Sequence, residues 1–172
     1  SASFSSPGAV STGRVVLWPV EPTLRGYAAV FSYKPVFIGY RNTLFYTAVG
    51  TALNVAVTLM AAYPLARRDL VGRGILMKLF TFTMVFSGGM IPTYLLVGAL
   101  GLVNTVWSQL IPGMISVYNM IIARTFISEI PGELLEAAKI DGCSDLRFFM
   151  EMVIPLSKAV IAVLALYYAV SH

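Results

Sequence analysis

Charge is what this sequence has least of. Only 12% of its 172 residues are Asp, Glu, Lys or Arg, about half the roughly 25% of an ordinary soluble domain. With 58% hydrophobic residues, there is too little charge to cover a soluble surface. Disorder needs low hydrophobicity and high charge, so it is excluded as well. Cysteine is nearly absent, and the lone Cys143 cannot close a disulfide within the chain, which excludes a stapled secreted domain. Histidine is single too, at the last position, His172. No phosphate-binding loop, no spaced His and Glu ligands and no Ser or Asp with a nearby His base are present, so no catalytic residue, metal or cofactor is expected. A signal peptide pattern is also missing. The net charge of +4 does not argue for nucleic acid, because membrane topology already accounts for at least half of the basic residues. What remains is a membrane protein. The chain does not start with Met and stops inside an apolar run, so a piece of a longer polypeptide is expected.

The uncharged stretches are long. Residues 42–66 form one run of 25, residues 79–123 one of 45, and residues 159–171 one of 13. A helix needs about 20 apolar residues to cross the hydrocarbon core. The spacing predicts spans over 42–66, 79–98, 104–123 and 153–172, with a turn at the Gly- and Asn-bearing residues 98–104. Arg67, Arg68, Arg73 and Lys78 mark the loop 67–78 as cytoplasmic. Arg124, Lys139, Arg147 and Lys158 mark the segment 124–152 and its margins likewise. Residues 1–40 are then an extracytoplasmic segment and 41–172 the membrane domain. The first 13 residues, rich in Ser and Gly, suggest a flexible lead. Trp18, Pro19, Pro22, Tyr27, Phe31, Tyr33 and Pro35 suit either an interfacial segment or a plain loop. Arg14, Arg25, Lys34 and Arg41 lie outside in this orientation, against the rule, but are spread along a long segment. An outside start calls for an earlier span.

No Asp, Glu, Lys or Arg lies inside the first three spans, which weakens any function needing a proton relay. A neutral, hydroxyl-rich solute would meet amides, hydroxyls and aromatic faces instead. Asn54, Gly88, Gly89, Pro92, Tyr94, Gln109 and Asn119 are the candidate path residues, with Asn42, Ser87, Asn104 and Tyr118 as further polar or aromatic positions. Taken singly, each polar side chain is more often an interhelical hydrogen bond or an interface anchor. The run Ser87-Gly88-Gly89 followed by Ile91-Pro92 predicts a broken or kinked helix. It would either line a path or serve packing alone.

Six of the eight acidic residues gather between Arg124 and Lys158. Pro131 and Glu133 suit a helix start, and residues 134–140 have strong helix propensity. Gly142 suits a left-handed stop. Ser144 with Asp145 suits the cap of a second helix, whose apolar face would be Leu146, Phe149, Met150 and Val153. Ala137 and Ala138 offer a small-residue contact face, with Glu136, Lys139 and Asp141 beside it for charge pairing. The physical reading is a lever: a short helix, a Gly turn, and a helix leading past Pro155 into a span. A solvated loop helix would have much the same pattern.

Glu136-Ala137-Ala138, three residues, Gly142, nine residues and then Met152, Ile154 and Pro155 resembles the EAA loop of bacterial ABC importer permeases. Met152 and Ile154 stand where Ile and Leu are usual. Residues 135–156, together with Gly88-Gly89-Met90-Ile91-Pro92-Thr93-Tyr94, are similar to the carbohydrate-importer branch, that is, the maltose permeases and the lipoprotein-named permeases of Gram-positive bacteria. The resemblance implies an all-α, polytopic transmembrane helical bundle of the MetI-like type. It implies a six-span subunit of which the second to fifth spans are present here. It places the coupling role on Glu136, Ala137, Ala138, Asp141, Gly142 and Pro155. The implied partners are a cytoplasmic ABC ATPase dimer, a second permease subunit (identical or homologous), an extracytoplasmic solute-binding protein and membrane lipid. The implied place is the bacterial cytoplasmic membrane. A non-sugar cargo, and a non-transport scaffold, are the competing functions.

Overall fold

The computed structural model describes residues 4–5, 10–13, 18, 23–86 and 88–171, with Arg25 described by its backbone alone. Arg14, Pro19, Pro22, Ser87, His172 and most of residues 1–13, singled out above, lie outside the described residues. The chain divides into two units, Ser1–Phe45 and Tyr46–His172, a boundary five residues beyond the expected 40. No strand occurs among the described residues.

In the first unit, α1 (Arg25–Ser32) ends at Tyr33, which is extended. Thr23 N donates to Phe4 O at 2.8 Å, and the Phe4 and Tyr27 rings lie 5.3 Å apart. Trp18, Phe31 and Tyr33 are exposed. The next helix, α2 (Lys34–Ala66), begins eight residues before the expected span and has 33 residues, about 50 Å at 1.5 Å per residue. It is the one unbroken described helix long and apolar enough to cross a membrane.

The second unit is built on the far part of α2. There Gly50, Asn54, Thr58 and Ala62, four apart, form a buried ridge with Val55, Leu59 and Leu65 beside it. Then follow α3 (Arg73–Val85), α4 (Met90–Ala99), the one-turn α5 (Trp107–Leu110) and α6 (Val117–Ser128). After these come α7 (Gly132–Ile140), α8 (Asp145–Phe148), a π-helical turn (Phe149–Val153), α9 (Ile154–Leu156) and α10 (Lys158–Ser171). The core joins Leu59 and Ala62 of α2 to Met120, Ala123 and Ile127 of α6 and to Val160, Leu164 and Tyr168 of α10. Each set repeats at helical spacing. Ala62 and Ala123 are fully buried, as close helix approach requires.

Three of the expected spans are not single helices. The run 79–98 breaks where its Gly-Gly and Pro run predicts, dividing into α3 and α4, bent by 117°. Gly89 has φ of 83° there, a left-handed value that a side chain resists. Over 104–123, Asn104 takes φ of 61°, turns and α5 follow, and α6 starts only at Val117, where Ser116 caps it by accepting from Asn119 N at 3.4 Å. Its end at Ser128 lies inside the expected loop 124–152. Over 153–172, α8–α9 and α10 are bent by 80°. Pro155 cannot donate in the helix ladder, and the regular helix begins at Lys158. With each bent pair counted as one span, the described residues hold up to three.

One hydroxyl binds the core together. Tyr168 Oη lies 2.7 Å from Thr58 Oγ1 in a buried contact and accepts from Ser116 N at 3.1 Å. It thereby ties α2, the start of α6 and α10. No sequence signal pointed to it.

Candidate functional site

The helix α7 starts where Pro131 holds φ at −57° and ψ at 131°. Glu133 lies in its first turn and Lys139 in its last, each complementing the helix dipole. At the far end Gly142 adopts φ of 75°. Gly142 N donates to Lys139 O at 3.1 Å and Cys143 N to Ala138 O at 2.9 Å. This pair of bonds is a Schellman stop, which satisfies the last carbonyls and turns the chain sharply. A Cβ built at Gly142 would meet nothing within 4 Å, so backbone strain and not crowding selects glycine there. Ser144 Oγ then accepts from Arg147 N at 3.3 Å and caps α8. The Gly stop and the Ser cap stand where expected, whereas Pro131 precedes α7 as its N-cap instead of opening it, and the second helix is one turn long before the π turn.

The contact faces differ from expectation at two places. Ala138 is 9% exposed and packs into the chain's own core, whereas Glu136, Ala137, Asp141 and Gly142 are exposed. The outward face of α7 therefore pairs Ala137 with acidic neighbours, without Ala138. In the second helix, Phe149 and Val153 are buried as expected, but Leu146 is 72% exposed and Met150 is also outward. Phe148 takes the inward place at 3% exposure. The π turn over Phe149–Val153 is the cause. Its wider winding brings residues five apart, Phe148 and Val153, onto one face. Pro155 sits exposed just beyond it, in the first turn of α9.

This segment is tied to the end of α2 by charge. Arg67 Nε donates to Asp69 Oδ1 at 2.9 Å, and Arg67 Nη1 lies 2.6 Å from Asp145 Oδ1. Hydrogen bonding from Arg67 holds the Asp69 carboxyl down at about 2. Arg67 itself is held above its ordinary range, first by Asp69 and against the cost of burial. Arg124 Nε donates to Leu65 O at 3.0 Å and so covers an open carbonyl at the end of α2. The two basic segments therefore meet at one end of the bundle. A cavity of about 530 Å³ opens beside them, walled by Arg67, Arg68, Ile130, Glu136, Lys139 and Phe148 among others. Arg67, Arg124 and Asp145 were visible in the sequence only as topology charges and a cap.

The expected path residues are not gathered into one site. Gly89 and Tyr94 line a second cavity, of about 620 Å³, with Thr93, Asn104 and Ser108. Gly88 and Pro92 do not line it, and a Cβ on Gly88 would touch the Pro92 ring at 3.5 Å. Asn54 and Asn119 are buried in the helix packing and Gln109 is exposed, and none of the three lines that cavity. No group of His, Cys, Asp and Glu able to hold a metal occurs among the described residues.

An all-helical bundle carrying a Gly-hinged helix pair at the meeting point of its basic loops defines the permease domain of ABC importers, MetI-like in fold. The chain belongs to the family described as binding-protein-dependent transport system inner membrane component, which it matches over residues 6–171. It is 42% identical over its whole length to the polygalacturonan/rhamnogalacturonan transport system permease protein YtcP of Bacillus subtilis, covering 60% of that protein. It is 44% identical to protein LplC of the same organism over 99% of its own length and 58% of that relative. A bacterial ABC transporter involved in the import of the acidic polysaccharide alginate holds a chain of the same fold. The TM-score is 0.89 at 35% identity, over 98% of this chain and 60% of that one. The chain thus spans about 60% of the length of these relatives.

Proposed function

We propose that the chain forms the translocation path of an ABC importer for a carbohydrate or related solute, in a bacterial cytoplasmic membrane. A separate ATPase pair would hydrolyse ATP, a second permease subunit would complete the path, and a solute-binding protein would deliver the solute from outside. The observation that carries this reading is α7, whose exposed Glu133, Glu136 and Ala137 project from the bundle end where the loops bearing Arg67, Arg73 and Arg124 converge. The positive-inside rule makes that end cytoplasmic, on the side where ATP is. The fragment 1–40 then lies outside, and the exposed aromatic residues of α1 suit the outer interface. Glu136, Ala137, Asp141, Gly142 and Pro155 take the coupling role from outside the core, and Ala138 anchors it from within.

The cargo reading rests on the relatives' names, two of which concern acidic polysaccharides, polygalacturonan and alginate. The cavity beside Gly89 and Tyr94 adds hydroxyl, amide and aromatic groups with no charged lining, a surface suited to hydroxyl-rich rings. The full-length permease, reconstituted in vesicles with its partner permease, ATPase pair and binding protein, should take up oligogalacturonides only with ATP. Uptake of peptides or amino acids in their place would refute the carbohydrate reading, and ATP-independent flux would refute the importer reading.

A further inference from the structure

The chain itself links the coupling helix to α10, through Gly142 and Pro155. It offers no such link to α2, whose end is more than 60 residues earlier in sequence. Among the described residues, two side-chain contacts stand out across that gap, beside the core packing of Ala138 and Phe148. One is apolar: the Tyr63 and Phe149 rings lie 5.0 Å apart. Apolar contact is non-directional, so it permits sliding. The other is the Arg67 guanidinium. It is held against its own loop by Asp69, through Nε at 2.9 Å and Nη2 at 2.5 Å. That leaves Nη1 aimed at Asp145, 2.6 Å away. Asp145 is the first residue of α8, directly after the Gly142–Ser144 turn. Arg67 is only 16% exposed, and Asp145 is 57% exposed. The backbone that carries Arg67 is itself pinned: its carbonyl accepts from Arg73 Nη1 at 3.5 Å, and Leu65 O two residues earlier accepts from Arg124 Nε. A planar fork with three of its nitrogens engaged fixes both distance and angle.

We infer that Arg67 is a positioning residue for energy coupling, a rigid brace that passes displacement of the coupling helix through Asp145 to α2 as well as to α10. Asp69 orients the fork, and Asp145 is the point where motion enters. The inference rests on the importer reading above and extends it to a second helix.

The test uses the complete transporter in vesicles, with oligogalacturonide as probe, and reads solute-stimulated ATPase and uptake together. Asp145→Asn and Arg67→Gln should still insert, assemble and hydrolyse ATP. Uptake per ATP should fall by at least about fivefold, the low end of ordinary site-to-site coupling. Arg67→Lys should fail in the same way, since a single ammonium cannot serve both carboxylates in the fork geometry. Asp145→Glu should stay close to wild type. The double variant should be no worse than the worse single one, because both act on one joint. Unchanged uptake per ATP in Asp145→Asn, with wild type coupled, overturns the brace alone. Where wild type does not take up oligogalacturonide, the same measurements are made with neutral oligosaccharides, peptides and amino acids, and ATP-dependent uptake of none of them overturns the importer reading and the brace with it. Where Arg67→Gln fails to assemble, the exposed Asp145 position decides the outcome by itself.

Discussion

At the scale of single residues, the fold depends on groups whose partners are far away in sequence. Tyr168 is separated by 110 positions from Thr58. Nothing near either residue announced the pairing, and the candidate list held Asn and Gln side chains that the fold uses elsewhere. Interhelical hydrogen bonds in membrane proteins are worth about 0.6 kcal/mol on average and up to about 1.7. Tyr168→Phe keeps the packing and removes the hydroxyl. It should lower unfolding stability in mixed micelles within that range, and Thr58→Val should add little once Tyr168 is changed. Full additivity of the two would show that they do not share a bond. Asp69 gives a second residue-scale prediction. Its folded pKa, about 2, lies below the ordinary 3.8 because Arg67 bonds the ionised form. The pairing is therefore complete above about pH 4 and is lost as pH falls through about 2. A carboxyl chemical-shift titration should show the low midpoint in wild type and a midpoint near the ordinary value in Arg67→Gln. An unchanged low midpoint in that variant would mean that Arg67 is not the cause.

At the scale of elements, the stops and starts of the coupling segment were legible because each is local. Gly142 with its two backbone bonds, and Ser144 with its cap, need only their own neighbours. Helix continuity was less legible. The Gly-Gly and Pro run announced the break at Gly89, though not a bend of 117°, whereas residues 104–116 read as span although they fold as turns and one short helix. The helix face was misassigned for a specific reason. Periodicity assumed 3.6 residues per turn, and the π turn inserts a wider one between Phe149 and Val153. The two registers make opposite predictions. In the observed register Phe148→Ala opens a cavity and should cost about 3–5 kcal/mol, whereas Leu146→Gln should stay within about 0.5 kcal/mol of wild type. Denaturant unfolding of the two variants checks this, and a reversed order would restore the regular helix.

At the scale of the whole molecule, the Lys- and Arg-rich loops that the sequence places on one side of the membrane come together at one end of the bundle, through the contacts Arg67 makes with Asp145 and Arg124 with Leu65. The proposed function takes that end as the cytoplasmic one. That end presents α7 to whatever lies beyond it. The presentation is one-sided, since Ala138 is 9% exposed and Ile140 87% exposed on one short helix. Docking into an ATPase cleft therefore has a face-specific signature, which a freely solvated loop helix lacks. Single Cys residues placed at Glu133, Glu136, Ala137 and Ile140 should crosslink to the ATPase in the assembled transporter. Cys at Ala138 should not, although it lies between two reactive positions. Crosslinking at Ala138 as strong as at Ala137 would mean that α7 leaves the core on assembly. The absence of any crosslink from Glu133 to Gly142 would remove the docking role from this helix. The predicted pattern, reactive at positions 136 and 137 and silent at 138, separates docking of a helix held by its own bundle from contact with a mobile loop.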